Sequence, residues 1–180
     1  MQIKRSNITT KTTTMKLILG LLLSVVFTLS SANMMAQSPF PQADLKTLDG
    51  GTVNTGDFFS EGKITVVSFW ATWCSPCKRE LDAIAEYYEE WQEDYDVQLL
   101  AVTIDNARSL AKVPGIIETK GWEYTVLTDA NQDLMRALNF QTIPQTFLID
   151  QDGNIAYTHN GYNSGDEYEL EDEIIKLAEK

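Results

Sequence analysis

Two cysteines, separated by Ser75 and Pro76, are the residues best suited to chemistry in this 180-residue sequence. Cys74 and Cys77 are also its only cysteines. A thiolate attacks a disulfide through a mixed-disulfide intermediate, so a neighbouring cysteine pair can exchange a disulfide with another protein. As a structural staple the pair would add little, since a loop of about four residues contributes roughly 2 kcal/mol, against roughly 4.7 kcal/mol for 100 residues. The spacing therefore favours redox chemistry.

The elements around the pair are predicted to place Cys74 where a helix begins. Residues 64–71 are rich in β-branched and aromatic side chains without alternation, which is typical of a strand buried on both faces. After the cysteines, apolar residues recur at helical spacing: Leu81, Ile84, Ala85, Tyr88, Trp91 and Tyr95. A helix N-terminus stabilises a thiolate, and Pro76 suits a first turn. We therefore expect Cys74 to be the nucleophile and Cys77 to lie one turn later on the same face.

The remaining sequence predicts an α/β domain with a mixed sheet covered by helices. Ala43–Leu48 and Thr52–Asn54 flank a turn and predict an opening β-hairpin. Val97–Ile104 predicts a second buried strand, parallel to the first. A helical stretch over 108–120 is expected to break or kink at Pro114-Gly115. The later elements are a strand, a helix, two strands joined as a hairpin, and a closing helix: 124–128, 132–138, 146–149, 155–159 and 167–180.

One stretch, Val66–Cys77, resembles the thioredoxin-like TlpA/ResA group of exported disulfide reductases, a fold related to the AhpC/TSA and redoxin proteins. Lys78–Leu81, Ile143–Asp150 and Asp152-Gly153 match the same pattern, so the resemblance extends over essentially the whole chain after Phe40. It implies a thioredoxin-like α/β fold with an extra N-terminal β-hairpin. It also implies a protein-disulfide reductase or oxidoreductase that uses no cofactor.

The resemblance further implies roles for residues around the cysteines. The Ile143–Pro144 bond is expected to be cis and to lie against the sulfurs, where the Ile143 backbone can pair with an extended substrate. Glu80 is expected to adjust the thiol pKa values or to pass protons, and to join the two cysteines as a catalytic residue. Trp73 and Pro76 are expected to contact substrate, with Trp73 shielding the sulfurs.

Each of these roles has a structural alternative. Pro144 would be trans by default, since X–Pro bonds are cis in only about 5–6% of cases in folded proteins. Glu80 would be a solvated helix residue, and Trp73 would pack in the core as Trp70 is expected to do. Ser68 stands where many ordinary thioredoxins carry a buried aspartate, so the proton-shuttle role of that aspartate does not transfer to this chain.

Residues 1–36 have the order of a signal peptide. They hold four basic residues, no acid, and an apolar run, Leu17–Leu29, which is shorter than the roughly 20 residues that span a bilayer. Small residues follow the run, which predicts cleavage before Gln37 or Asn33. Met15 is a second candidate start. These features predict a periplasmic or otherwise extracytoplasmic protein that is soluble after cleavage.

Residues 37–180, the predicted thioredoxin-like domain, are strongly acidic. All 26 acidic residues but only 10 of the 14 basic residues lie there, which gives a net charge of −16. Such a surface repels nucleic acid and anionic membranes. The expected partners are disulfides of exported proteins and, by the resemblance, a membrane thiol-electron transporter as electron donor. We expect a monomer.

Three other functions remain open from the sequence. Cys74 and Cys77 with His159, the only histidine, would suit a copper-binding protein on a related fold. By analogy with the family that the chain resembles, the last predicted strand, where His159 lies, is a poor place for a ligand. Zinc normally takes four ligands, so no metal site is expected. A thiol peroxidase of the peroxiredoxin-related type would share the fold. A scaffold protein with an incidental disulfide is the remaining alternative.

Overall fold

The structure, a computed structural model, describes residues 38–59 and 61–179. The chain divides into two units, Met1–Ala36 and Gln37–Lys180, and every described residue belongs to the second. The predicted signal segment and its cleavage site therefore lie outside the described residues. Within the described part, no helix is both long and apolar enough to cross a membrane.

The described residues contain seven strands and six helices, joined by turns and loops. In chain order they are β1 (Asp44–Thr47), β2 (Thr52–Asn54), α1 (Thr55–Phe59), β3 (Ile64–Trp70), α2 (Ser75–Tyr95), β4 (Val97–Thr103), α3 (Ala107–Leu110), α4 (Val113–Lys120), β5 (Thr125–Thr128), α5 (Asp133–Ala137), β6 (Gln145–Ile149), β7 (Ile155–Asn160) and α6 (Asp166–Ala178).

The described strands form one mixed sheet in the order β2-β1-β5-β4-β3-β6-β7. β3, β4 and β5 run parallel, as expected for strands joined by helical crossovers. β6 pairs antiparallel with β3 and with β7, and β1 pairs antiparallel with β5 and with β2. The predicted parallel unit and the predicted β6–β7 hairpin are confirmed.

β3 lies in the interior of the sheet, and all seven of its residues are buried. This confirms that its run of apolar residues without alternation marks a strand covered on both faces. α2 packs on β3 and β4, α6 packs on β3 and β6, and the two helices contact each other. They therefore cover the same face of the sheet.

The apolar stripe of α2 faces this interface. Leu81, Ile84 and Trp91 are buried, and the Trp91 indole N–H donates to Glu171 on α6 at 3.0 Å. The long helix predicted after the cysteines is thus confirmed, together with its buried face.

The helical stretch predicted over 108–120 differs in where it breaks. α3 ends at Leu110 and α4 begins at Val113, so the break precedes Pro114. Pro114 occupies the first turn of α4, where its missing N–H needs no helical partner. The proline therefore begins the second helix and does not interrupt a single one.

Candidate active site

Cys74 is the N-cap residue of α2, as its position in the sequence predicts. The chain leaves the buried strand β3 and turns so that the Cys74 N–H donates to the Ala71 carbonyl at 3.0 Å. The Cys77 N–H then points at the Cys74 Sγ at 3.3 Å. In the reduced protein the same N–H and the helix dipole would stabilise a thiolate at this sulfur.

The two cysteines form a disulfide, with their Cα atoms 5.4 Å apart. They differ in access, because Cys74 retains 5% of its surface and Cys77 none. An incoming sulfur can therefore reach only Cys74 directly. This asymmetry suits Cys74 to the attack on a target and Cys77 to a second, internal attack.

Ile143 and Pro144 lie beside the outer sulfur. Their peptide bond is cis, which confirms what the family resemblance implied. The Ile143 carbonyl oxygen lies 3.9 Å from the Cys74 Sγ, while the Pro144 carbonyl accepts a hydrogen bond from the Gly161 N–H at 2.9 Å. The backbone before Pro144 therefore lies beside the more accessible of the two sulfurs.

The two tryptophans before Cys74 have opposite environments. Trp73 is 65% exposed, so the alternative that it packs in the core is wrong. Trp70 is fully buried and makes an edge contact with Trp122 at a centroid distance of 5.2 Å. Pro76 is half-buried in the first turn of α2. Trp73 therefore offers an exposed aromatic surface one residue from the outer cysteine.

Glu80 lies on the face of α2 that packs on the sheet, with 4% of its surface exposed, so the alternative of a solvated helix residue is wrong. Its carboxylate accepts hydrogen bonds from the hydroxyls of Ser68 (2.9 Å) and Thr146 (2.8 Å). Burial raises the pKa of Glu80 to about 7, although the two hydrogen bonds oppose this change. Because Glu80 follows Cys77 by one helical turn, a carboxyl that titrates near neutral pH lies next to the inner cysteine.

Ser68, which stands where many ordinary thioredoxins carry an aspartate, donates a hydrogen bond to the Glu80 carboxylate. It lies on β3 directly opposite Thr146 on β6, and both hydroxyls point toward α2. The strand position that holds an acid in ordinary thioredoxins here holds a hydrogen-bond donor for an acid on the helix. The buried carboxylate is thus carried by α2, one helical turn after Cys77.

Asp105 is a positioning residue that the sequence analysis missed. It follows β4, is fully buried, and accepts from the Thr72 N–H (2.7 Å), the Thr72 hydroxyl (2.9 Å) and the Thr103 hydroxyl (2.7 Å). The Lys78 ammonium donates to the Thr72 carbonyl at 2.9 Å. These bonds fix both sides of Thr72, two residues before Cys74. The sequence did contain a signal for this role, because Asp105 directly follows the buried strand that was predicted to lie parallel to β3.

His159 lies on β7 and does not join the cysteines. Its Nε2 bonds the Asp166 carboxylate at 3.0 Å and its Nδ1 bonds the Tyr157 hydroxyl at 3.1 Å. Among the described residues, no group of three or more His, Cys, Asp or Glu side chains is placed to hold a metal ion. The copper-binding alternative thus gains no support from the geometry.

Comparison with known proteins identifies a family and several relatives of this chain. Residues 36–158 match the AhpC/TSA family. The chain is 30% identical over 139 residues to the thiol-disulfide oxidoreductase ResA of Geobacillus kaustophilus, covering 77% of each chain. It is 29% identical over 118 residues to the sporulation thiol-disulfide oxidoreductase A of Bacillus subtilis, covering 65% of this chain and 69% of that one.

A solved structure confirms the predicted fold class. The uncharacterized thioredoxin-like protein from Porphyromonas gingivalis superposes with a TM-score of 0.69 at 43% sequence identity. The match covers 78% of this chain and 92% of that chain. The described domain is therefore a thioredoxin-like α/β fold with a mixed sheet.

Replacing Asp105 should disturb the cysteine loop as well as the fold. Asp105→Asn presents one acceptor oxygen in place of two, and the lost hydrogen bonds should lower the free energy of unfolding by about 1–3 kcal/mol. Asp129→Asn is a matched control, because Asp129 is also buried and accepts from two N–H groups of α5. Both variants should lose stability in urea titrations. Only Asp105→Asn should change the alkylation rate of reduced Cys74 by iodoacetamide, and equal rates in the two variants would contradict the positioning role.

Glu80 should make stability depend on pH. Its pKa rises from 4.5 to about 7 on folding, so between these values the folded state keeps a proton that the unfolded state has released. Stability should therefore fall as pH rises through this window, by about 3 kcal/mol in total, and level off above it. The stability of Glu80→Gln should not fall in this way. In urea titrations, the free energy of unfolding of Glu80→Gln minus that of the parent should therefore increase from acid to neutral pH. Glu86→Gln, an exposed change on the same helix, should track the parent, and an advantage of Glu80→Gln that is constant with pH would refute the assignment.

Proposed function

Since this chain belongs to the AhpC/TSA family and holds a disulfide at the start of α2, we propose that it is a thiol–disulfide oxidoreductase that reduces disulfides of other proteins. The observation that carries the proposal is the geometry of the pair, with Cys74 accessible at a helix N-terminus and Cys77 buried behind it. Two relatives that bear this activity in their names support it.

The catalytic cycle follows from exchange chemistry. The Cys74 thiolate attacks a target disulfide, and one target sulfur leaves as a thiolate. Glu80 takes the proton of the Cys77 thiol, and the resulting thiolate attacks the Cys74 Sγ. This step releases the second target sulfur as a thiolate and forms the Cys74–Cys77 disulfide. Two electrons have then moved from the protein to its target.

The substrate is proposed to lie across Trp73, Pro76 and the Ile143–Pro144 backbone. The exposed ring of Trp73 can cover apolar side chains of an extended segment. The Ile143 backbone, next to the Cys74 sulfur, can pair with the main chain of that segment. One chain supplies all of these groups, so the proposed acting species is a monomer.

The proposed location is outside the cytoplasm. The order of basic residues, apolar run and small residues in 1–36 supports export, and the signal segment would be removed. Because such compartments favour disulfides, a reductase there needs electrons from elsewhere. We therefore propose disulfides of exported proteins as targets and a membrane thiol-electron transporter as donor.

Insulin reduction tests the activity and separates it from the remaining alternatives. With dithiothreitol as electron source, the parent protein should accelerate insulin precipitation, and Cys74→Ser should abolish the acceleration. Cys77→Ser should also stop turnover but accumulate a mixed disulfide that mass spectrometry identifies. Ser75→Ala, between the cysteines, should stay near parent activity. Full activity in Cys74→Ser would refute the mechanism, and peroxide consumption without a dithiol donor would favour a peroxidase.

A redox titration tests the direction of transfer. Equilibration of Cys74 and Cys77 with dithiothreitol or glutathione should give a reduction potential nearer to the roughly −270 mV of thioredoxin than to the roughly −120 mV of a strong oxidant. Cys74→Ser, which lacks the pair, supplies the baseline. A value near the oxidant end would reverse the proposed direction.

A further inference from the structure

A row of polar side chains crosses the sheet beneath the helices. Ser68 on β3 pairs with Thr146 on β6, which in turn pairs with His159 on β7. Residues directly opposite each other on neighbouring strands project from the same face. Glu80 accepts hydrogen bonds from the first two of these residues, and Asp166 on α6 bonds the third. Polar groups therefore lead from the buried carboxyl to β7, at the edge of the described sheet.

A small cavity lies along this row. It has a volume of about 10 Å³, close to the smallest space that holds one water molecule, and Glu80 forms part of its wall. Its other polar lining residues come from β6, β7, α6 and the segment before α6: Thr146, Tyr157, His159, Tyr162, Asp166 and Glu167. A water molecule here would have several hydrogen-bond partners and would connect the Glu80 carboxyl with the groups around His159.

The outer end of the row is accessible to solvent, whereas the inner end is not. The side chains of His159 and Asp166 are 25% and 22% exposed, while Glu80 is 4% exposed. A carboxylate can only accept, so the His159 Nε2–H donates to Asp166. In the neutral ring Nδ1 then accepts from the Tyr157 hydroxyl, whose single proton is shared between this nitrogen and the Glu169 carboxylate. Imidazole is the side chain that most readily gains and loses protons near neutral pH.

We propose that this row is the path by which Glu80 exchanges protons with solvent, with the His159–Asp166 pair as its outer end. The inference rests on the proposed function, in which Glu80 takes a proton from Cys77 as the pair is oxidised. Cys77 needs a proton again when the electron donor reduces the pair, so the path carries a proton out when Glu80 releases it between these two steps and carries one in when the pair is reduced. The Glu80 carboxyl gives its proton to the cavity water, and a proton passes through the Tyr157 hydroxyl to the His159 Nδ1. The imidazolium, stabilised by Asp166, returns to neutral by releasing one proton to solvent or buffer.

Turnover in a weak buffer tests the path. His159→Gln keeps an amide donor and acceptor for Asp166 and Tyr157 but cannot carry a proton, so insulin reduction at neutral pH should slow by about tenfold. His159→Ala should slow similarly and should recover when imidazole is added, because the space left by the ring admits it. Thr158→Ala, on the opposite face of β7, should match the parent with or without imidazole.

A double variant separates a proton path from a structural effect. Glu80→Gln/His159→Gln should be no slower than Glu80→Gln alone, since without the carboxyl there is no proton to pass. The proposal is overturned if His159→Gln turns over at the parent rate in weak buffer. It is also overturned if His159→Gln slows the Glu80→Gln protein as much as it slows the parent protein.

Asp166→Asn is a fallback if both His159 variants fail to fold. It keeps an acceptor but removes the charge, and it should slow turnover by about threefold in weak buffer. Parent rates in Asp166→Asn would likewise overturn the path.

The outcomes also distinguish this proposal from the function on which it rests. Loss of insulin reduction in Cys74→Ser establishes the disulfide chemistry independently of β7. Once that result is obtained, a His159→Gln protein that turns over at the parent rate in weak buffer refutes only the proton path. If the parent protein itself fails to reduce insulin, the proposed function fails first.

Discussion

The carboxyl group of Glu80 has to be accommodated between α2 and the sheet, and much of the site depends on how this is done. A buried carboxylate needs hydrogen bonds, and here the hydroxyls of Ser68 and Thr146 supply them from adjacent strands. The donors are too few to offset the loss of solvent, so the pKa of Glu80 rises toward neutrality. The same burial that lowers the stability of the fold at neutral pH leaves, one helical turn after Cys77, a carboxyl whose charge can change near neutral pH.

The loop that carries the cysteines is fixed by polar contacts of a different kind. Asp105 accepts three hydrogen bonds from Thr72 and Thr103, and Lys78 closes the other side of the Thr72 peptide. β3 and β4 are parallel neighbours, and Thr72 and Asp105 both follow their carboxyl ends. The strand pairing therefore sets the position of Cys74, and the side chains after the strands lock it.

The sequence allowed the central part of the fold to be predicted because its signals are local. A run of buried residues marks β3, helical periodicity marks α2, and the cysteine spacing places the pair on one turn. The cis bond before Pro144 was predicted only from the family resemblance, since nothing in the local sequence requires it. The helix break was predicted at Pro114-Gly115 but lies before Val113, because proline is accepted in the first turn of a helix as well as being able to end one.

The parts that escaped prediction depend on contacts between distant segments. The burial of Glu80 requires that Thr146, 66 residues later, lie opposite Ser68, and a periodic pattern on α2 does not contain that information. Asp105 and Thr72 are likewise 33 residues apart and meet only through strand pairing. Sequence position identified Glu80 as a candidate, but only the sheet register explains why its carboxyl is neutral for part of the pH range.

The unequal access to the two sulfurs has a kinetic consequence. Cys77 has no exposed surface, so under the proposed function the electron donor and the target protein would both meet the chain at Cys74. The two partners then compete for one docking surface and must use it in alternation, which is the condition for ping-pong kinetics. Neither can bind tightly without blocking the other, so the surface around Trp73 has to be permissive toward both, and the flow of electrons is limited by how readily each partner departs.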